Sequence, residues 1–179
     1  MSGWGETEVA RLVTGVKMGF VQGQTTRQIV KNVVGAGGLT DISERNSATV
    51  IRTALSHVSN EARNETYRQN DDIIEKYEWV STLDSRTSTI CRARDGMTWE
   101  IGKGPMPPAH PNCRSCTAPV ISSEFDFLDK GAKRAAKGAD GGTQVSADTT
   151  YYEFLKQQPA WFQDLSLIHI SEPTRLGMI

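Results

Sequence analysis

One spacing in this chain forces distant stretches of backbone to meet. Cys91, His110, Cys113 and Cys116 form a C-x18-H-x2-C-x2-C pattern that uses all three cysteines. Their number and type are those of a tetrahedral Zn2+ site, whose ligands must converge within about 2.0 to 2.3 Å of one point. Cys113 and Cys116 have the knuckle spacing in which a tight turn aims two sulfurs at one ion. His110 enters from the proline-rich loop before them, and Cys91 returns from the segment upstream. The expected ligand set is therefore Cys91, His110, Cys113 and Cys116 around a structural zinc, because four protein ligands leave no position for water. A disulfide from Cys91 to Cys113 or Cys116 stays open, as does plain packing of the thiols.

The compartment bears on that choice. Near Met1 the apolar residues are interrupted by Glu6, Glu8, Arg11 and Lys17, so neither a secretory signal nor a membrane span is expected. A reducing cytoplasm favours metal ligation over disulfides, although a particle released from the cell could oxidise them. A net charge of -1 over 179 residues argues against a surface given over to nucleic acid. That length, with 37% hydrophobic content, suits one core of ordinary size.

The hydrophobic period changes along the chain. Val9, Leu12, Val13, Val16 and Phe20 recur at helical spacing. Gly23 interrupts, and Thr25 or Thr26 can cap a second helix carrying Ile29, Val30, Val33 and Val34, which Gly35, Gly37 and Gly38 end. Asp41 and Glu44 resemble a capping box before a long helix over residues 42–69, with Ala48, Ile51, Leu55, Val58 and Ala62 on one face and Arg52, Asn60, Glu61 and Arg63 mostly elsewhere. His57 lies on it among polar neighbours and reads as solvated. From Tyr77 the period becomes two: Tyr77, Trp79, Ser81 and Leu83 alternate with Glu78, Val80 and Thr82, as in a strand with one buried face. Asp95-Gly96 marks a turn into a short piece over residues 97–101, a proline-rich loop spans residues 102–111, and residues 117–121 can add a strand that Pro119 confines to an edge.

The predicted class is α+β. The expected division is a helical region over residues 1–70, a small antiparallel β module with Cys/His loops over 71–122, a flexible linker over 123–148 and a short helix over 149–164. The linker reading rests on Lys130, Lys133, Arg134 and Lys137 lying among Ala and Gly, diluted by Glu124, Asp126 and Asp129. Ser146 or Asp148 is the expected cap of the last helix, which Pro159 ends. Residues 165–175 read LSLIHISEPTR. They resemble the conceptual translation of a transposase sequencing adapter, so residues 165–179 are expected to be an artefact, with the natural chain cut near Asp164.

Other chemistry finds less support. Pro-Asn-Cys-Arg-Ser-Cys has the second half of a zinc-deaminase signature without the His-x-Glu that supplies its acid and base. Asp84, Asp95 and His110 could surround a nuclease metal, and a cysteine could pair with His110 as a nucleophile, but no sulfur is marked as activated. A nucleic-acid-binding zinc knuckle is disfavoured, since Trp99 is the only aromatic between the ligand groups. Asp84 or Asp95 could orient the imidazole or replace a weak ligand, while Arg86, Asp95 and Arg114 read as buried ion pairs or turn locks.

The motif Trp79-Val-Ser-Thr-Leu-Asp84-Ser-Arg86-Thr87, then Cys91 with Asp95-Gly96, then Pro107-Pro108-Ala-His110-Pro-Asn112-Cys113-Arg114-Ser, resembles the phage head morphogenesis family, the Mu F-like minor head proteins. Gly23-Gln-Thr-Thr, Arg52-Thr-Ala and residues 150–164 also resemble it. The resemblance implies a non-enzymatic minor head protein of a phage or prophage, acting in head morphogenesis, capsid assembly and DNA packaging or ejection. Its implied partners are the portal and major capsid proteins, with packaged DNA as a further contact and neither membrane nor small-molecule substrate. Its implied location is the bacterial host cytoplasm during assembly, then the virion head. The family's polar signature falls on Asp84, Arg86, Thr87, Asp95, Gly96, Asn112 and Arg114, beside Cys91, His110 and Cys113. Many members have cysteine where this chain has Ser88, and many lack one at Cys116, so the family pattern does not secure the fourth ligand; without Cys116, water or Asp84 could complete a three-ligand site. The alternative expectation is a metal-dependent nuclease or a toxin-associated module, since the family's module is sometimes fused to toxin domains.

Overall fold

A computed structural model describes residues 6–33, 44–122, 124 and 131–171. The class is α+β, as expected, with helices α1 (Glu6–Val21), α2 (Thr26–Val33) and α3 (Glu44–Arg68) preceding the first strand. The chain divides into two units, residues 1–58 with His110–Asn112, and residues 59–109 with 113–179.

In the first unit, α2 is capped by Thr25 and not Thr26. The Gln28 amide N–H donates to Thr25 Oγ1 at 3.3 Å while Thr25 N–H donates to Gln28 Oε1 at 2.8 Å, which satisfies two donors that the helix start leaves open. Ile29, Val30, Val33, Ala48 and Ile51 form the core here, with Val16 and Leu55 against it. Gly19 permits the close approach of α1 to α2, because a Cβ there would stand 2.5 Å from Ile29 Cγ1. Gly35, Gly37, Gly38, Val34 and Asp41 lie outside the described residues, so their cap and terminator roles fall outside the structure too.

The long helix keeps its predicted face only as far as Leu55. Val58 is 54% exposed and Ala62 is exposed, whereas Asn60, Asn64 and Tyr67 are buried. An apolar period thus passes into a polar stripe that periodicity alone assigns to solvent. His57 is exposed, as read.

In the second unit, strand β1 (Ile74–Val80) is the centre of a three-stranded antiparallel sheet. It lies between β2 (Thr98–Glu100) and β3 (Cys116–Ile121), with Pro119 on an edge strand. Tyr77 faces Trp99, Trp79 faces Thr117 and Val80 faces Cys116 across the ladders. Directly opposed residues point to the same side of a sheet, so the register decides which side chains share a face. Tyr77, Trp79, Ser81 and Leu83 are all buried, as their alternation requires. Between β1 and β2 the chain makes a short helix α4 (Thr89–Arg94), and Cys91 sits on it. Its N-cap is Ser88, and Asp95-Gly96 turns out of it with Gly96 at φ +79°.

The segment read as a flexible linker contains a β-hairpin. Strands β4 (Lys133–Gly138) and β5 (Gly141–Ser146) pair antiparallel, and Ala136 bridges Leu83. Alternation is present, with Arg134 and Ala136 less exposed than Lys133, Ala135 and Lys137. With alanine as the single buried apolar residue, the run looks solvated by composition. The C-terminal helix is likewise two: α5 (Tyr151–Lys156), capped by Thr150 in a capping box with Glu153 and not by Ser146 or Asp148, and α6 (Ala160–Ser171). Pro159 separates them, and α6 runs on into residues 165–171. Tyr151, Phe154, Leu155 and Phe162 build a core with Leu83 and Ala136.

Candidate metal centre and its ion-pair frame

The structure brings three of the four expected ligands together. Ligand atoms of Cys91, His110 and Cys113 all lie within 4.8 Å of one another, the two cysteines buried and the histidine half-buried. Cys91 is held by α4; His110 and Cys113 belong to the loop that leads into β3. The two sulfurs stand 3.7 Å apart. Two thiolates at about 2.3 Å from one tetrahedral ion stand about 3.8 Å apart, so the pair fits such an ion and is not bonded as a disulfide. None of the three cysteines is in a disulfide.

Cys116 is not part of that group, and the register explains why. Trp79 packs against Cys91 and Cys113, and its cross-strand neighbour is Thr117. Cys116, paired with Val80, projects to the opposite side of β3. Knuckle spacing directs two sulfurs to one point only in a turn, and here the second cysteine has already entered a strand. Burial pushes its thiol up.

The two close thiols differ. The hydrogen bond shared by the two sulfurs, more than any other influence, pulls the Cys113 thiol down to about 5 against the opposing effect of burial, with amide and hydroxyl donors from Ala109 and Ser115 helping. The same hydrogen bond, then burial, pushes Cys91 up. His110 Nδ1 lies 2.9 Å from the carbonyl oxygen of Pro111. An Nδ1–H held this way fixes the tautomer that presents Nε2 as the ligand atom.

Both candidate carboxylates are committed elsewhere. Asp84 receives a bidentate fork from Arg114, Nη1 to Oδ2 at 2.5 Å and Nη2 to Oδ1 at 2.8 Å. The Arg86 amide and the Thr87 hydroxyl each reach Oδ1 at 3.0 Å, while the Arg86 side chain stays exposed with Nε 4.0 Å from Oδ2. Burial pushes the Asp84 carboxyl up, but Arg114, Thr87 and the Arg86 amide outweigh it and hold it below the ordinary carboxylate range. Asp95 accepts the Ser81 amide at 2.6 Å, the Tyr151 amide at 2.7 Å and both terminal nitrogens of Arg134. Asn112 takes φ +58°, with its amide on Thr53 Oγ1 at 3.0 Å and its side chain on Thr49 Oγ1 at 3.1 Å. A Cβ at Gly96 would stand 3.0 Å from Thr150 Cγ2. The nuclease constellation of Asp84, Asp95 and His110 is thus not assembled.

Sequence reading missed Arg134, Tyr151 and Arg92. Tyr151 donates its hydroxyl to the Asp84 carbonyl at 2.9 Å. Arg92, 2% exposed, lies 4.9 Å over the Tyr151 ring and donates to the carbonyls of Ser85 and Ser166. The signal for Tyr151 was the resemblance of residues 150–164; Arg92 and Arg134 had none.

A family model described as Phage Mu protein F like protein matches residues 10–118, more than half of the chain. The chain belongs to this family. It is thereby placed among the phage head morphogenesis proteins. Comparison with curated proteins and with solved structures finds no match. In this Mu F-like chain the matched span holds the three converging ligands and both buried carboxylates, and it ends before the hairpin that carries Arg134. Among the described residues no helix is long and apolar enough to cross a membrane.

Proposed function

We propose that this chain is a non-enzymatic minor head protein acting in capsid assembly and in DNA packaging or ejection. In this reading it works with the portal and major capsid proteins in the host cytoplasm and then in the virion head, with packaged DNA as a further contact. Cys91, His110 and Cys113 hold a Zn2+ whose role is to tie α4 to the loop before β3. When bound, the ion supplies a rigid cross-link in a region with little aliphatic core.

The observation that carries this reading is the fate of the family's polar signature. Asp84 and Asp95 are each spent on a guanidinium fork and on backbone amides, so neither of these two carboxylates is left to act as a base or to activate a metal-bound water. Such groups build a scaffold. The test is complementation of a phage lacking the gene, with portal pull-down from infected cells. Chains with intact locks should restore DNA-filled heads and co-purify with portal. Restoration by variants whose locks are broken and whose module is unfolded would defeat the scaffold reading, and nuclease activity in the purified chain would defeat the non-enzymatic one.

A further inference from the structure

We infer that the outer edge of β5 is a docking edge for an extended, acidic segment of a partner protein, which joins the β4–β5 hairpin as a third strand. The ladder decides which backbone groups are available. Lys137 N–H leaves the hairpin and donates to the Leu83 carbonyl oxygen at 2.8 Å. Residues directly opposite in an antiparallel pair either exchange both hydrogen bonds or direct both sets of groups outward. Gly142 lies opposite Lys137, Gln144 opposite Ala135 and Ser146 opposite Lys133, so these three β5 residues point their N–H and C=O groups away from β4. The Ser146 carbonyl accepts Thr149 N–H at 3.1 Å, which ends the run. Among the described residues the outward groups of Gly142 and Gln144 have no backbone partner. The far edge of the hairpin is taken by Leu83, which bridges Ala136, so a new strand can add only beside β5. Natural edge strands are guarded by charge, proline or a bulge. The sequence GGTQVS, paired in unbroken register, has none of these.

The exposed side of the hairpin selects the partner. Lys133, Ala135 and Lys137 are exposed, as are Ser146, Gln144 and Gly142 opposite them, and directly opposed residues share a side. Ser146 Oγ donates to Asp148 Oδ2 at 3.4 Å, so a carboxylate already stands beside the Lys133 row. The Lys137 row ends in Gly142, where a Cβ would meet nothing within 4 Å. A residue added opposite Gly142 stands two strand spacings, about 10 Å, from Lys137. A lysine and a glutamate close that gap together, with no side chain between them. The row therefore favours a carboxylate at that position. A second copy of β5 brings none, because GGTQVS holds no acidic residue.

The experiment titrates the full chain with a ten-residue peptide of alternating threonine and valine carrying one central glutamate, and with its glutamine twin, read by NMR amide shifts and hydrogen exchange. The glutamate peptide should bind saturably and slow exchange at the Gly142 and Gln144 amides. The glutamine twin, or Lys137→Gln in the chain, should weaken binding by about two- to fivefold, the scale of an exposed ion pair. Gln144→Pro removes an outward N–H and leaves the β4 ladder whole, so it should abolish binding with little change in the thermal midpoint; if that midpoint falls, Lys137→Gln carries the test. A peptide that leaves those amides exchanging as before, or that binds a folded Gln144→Pro chain as tightly as the parent, overturns the docking edge. Equal affinity for the two peptides overturns the acidic partner. Protection of the same amides that rises with chain concentration in the absence of peptide assigns the edge to a second copy, and duplex DNA that binds through Lys137 yet ignores Gln144→Pro assigns the face to nucleic acid; either result overturns the inference.

Discussion

Arg134 and Asp95 form a closed fork, with Nη1 3.2 Å from Oδ2 and Nη2 2.9 Å from Oδ1, and the pair is 9% and 0% exposed at the side chains. The same guanidinium reaches the carbonyl oxygens of Ser81 and Thr149. Removing one member of a buried pair leaves the other charge uncompensated, which costs about 3 to 5 kcal/mol. Arg134→Ala and Asp95→Ala should each lower stability by that order. The double variant should lose clearly less than the sum, because partners in contact do not add. Urea unfolding of the four chains measures the cycle, and strict additivity would show that the fork contributes nothing as a pair.

Asp84 predicts a pH dependence of definite sign. Its carboxyl binds a proton less readily folded than unfolded, where its ordinary value is 3.8. The stability it confers is therefore fully present above the unfolded value and is lost as pH falls through the lower folded one. The urea midpoint should decline on acidification in that window, and Asp84→Asn should flatten the decline while lowering the midpoint at neutral pH. An equally steep decline in the variant would place the acid sensitivity elsewhere.

Metal content should separate the three cysteines. Cys91→Ser and His110→Ala should abolish stoichiometric zinc, and Cys116→Ser should retain it. A chelator should lower the melting temperature of the parent and of Cys116→Ser but not of Cys91→Ser. Elemental analysis with thermal scans checks both halves of this expectation.

The contact of α1 with α2 predicts a glycine requirement. Ile29 is 2% exposed and has no room to yield to a Cβ at Gly19. Gly19→Ala should destabilise the first unit by about 1 to 3 kcal/mol through overpacking. Ile29→Ala, which removes the clashing Cγ1, should lower the denaturation midpoint less in that background than in the parent.

What could be read from the sequence was what short-range pattern records. The alternation of Tyr77, Trp79, Ser81 and Leu83 gave the buried strand face, and the spacing of Cys91, His110 and Cys113 gave their meeting. What could not be read was pairing between charges far apart in the chain. Arg134 sits in a lysine-rich run whose composition is that of a solvated connector, and nothing local says that its partner is Asp95. Cys116 fits the knuckle spacing, yet strand alternation turns it away. Asn60 and Asn64 are polar residues buried on a helix whose apolar stripe has shifted, a change only tertiary packing imposes.

The carboxylate of Asp95 gathers the end of β1 through Ser81, the hairpin through Arg134 and the first turn of α5 through Tyr151. Two of those three donors come after the family match ends at residue 118. A fragment trimmed to the profile would thus expose a wound at its own centre, an anion stripped of its cation and of the helix amide. The segment downstream of the profile acts as the keystone of the matched part, and a shortened version built for assembly studies has to keep the chain through α5.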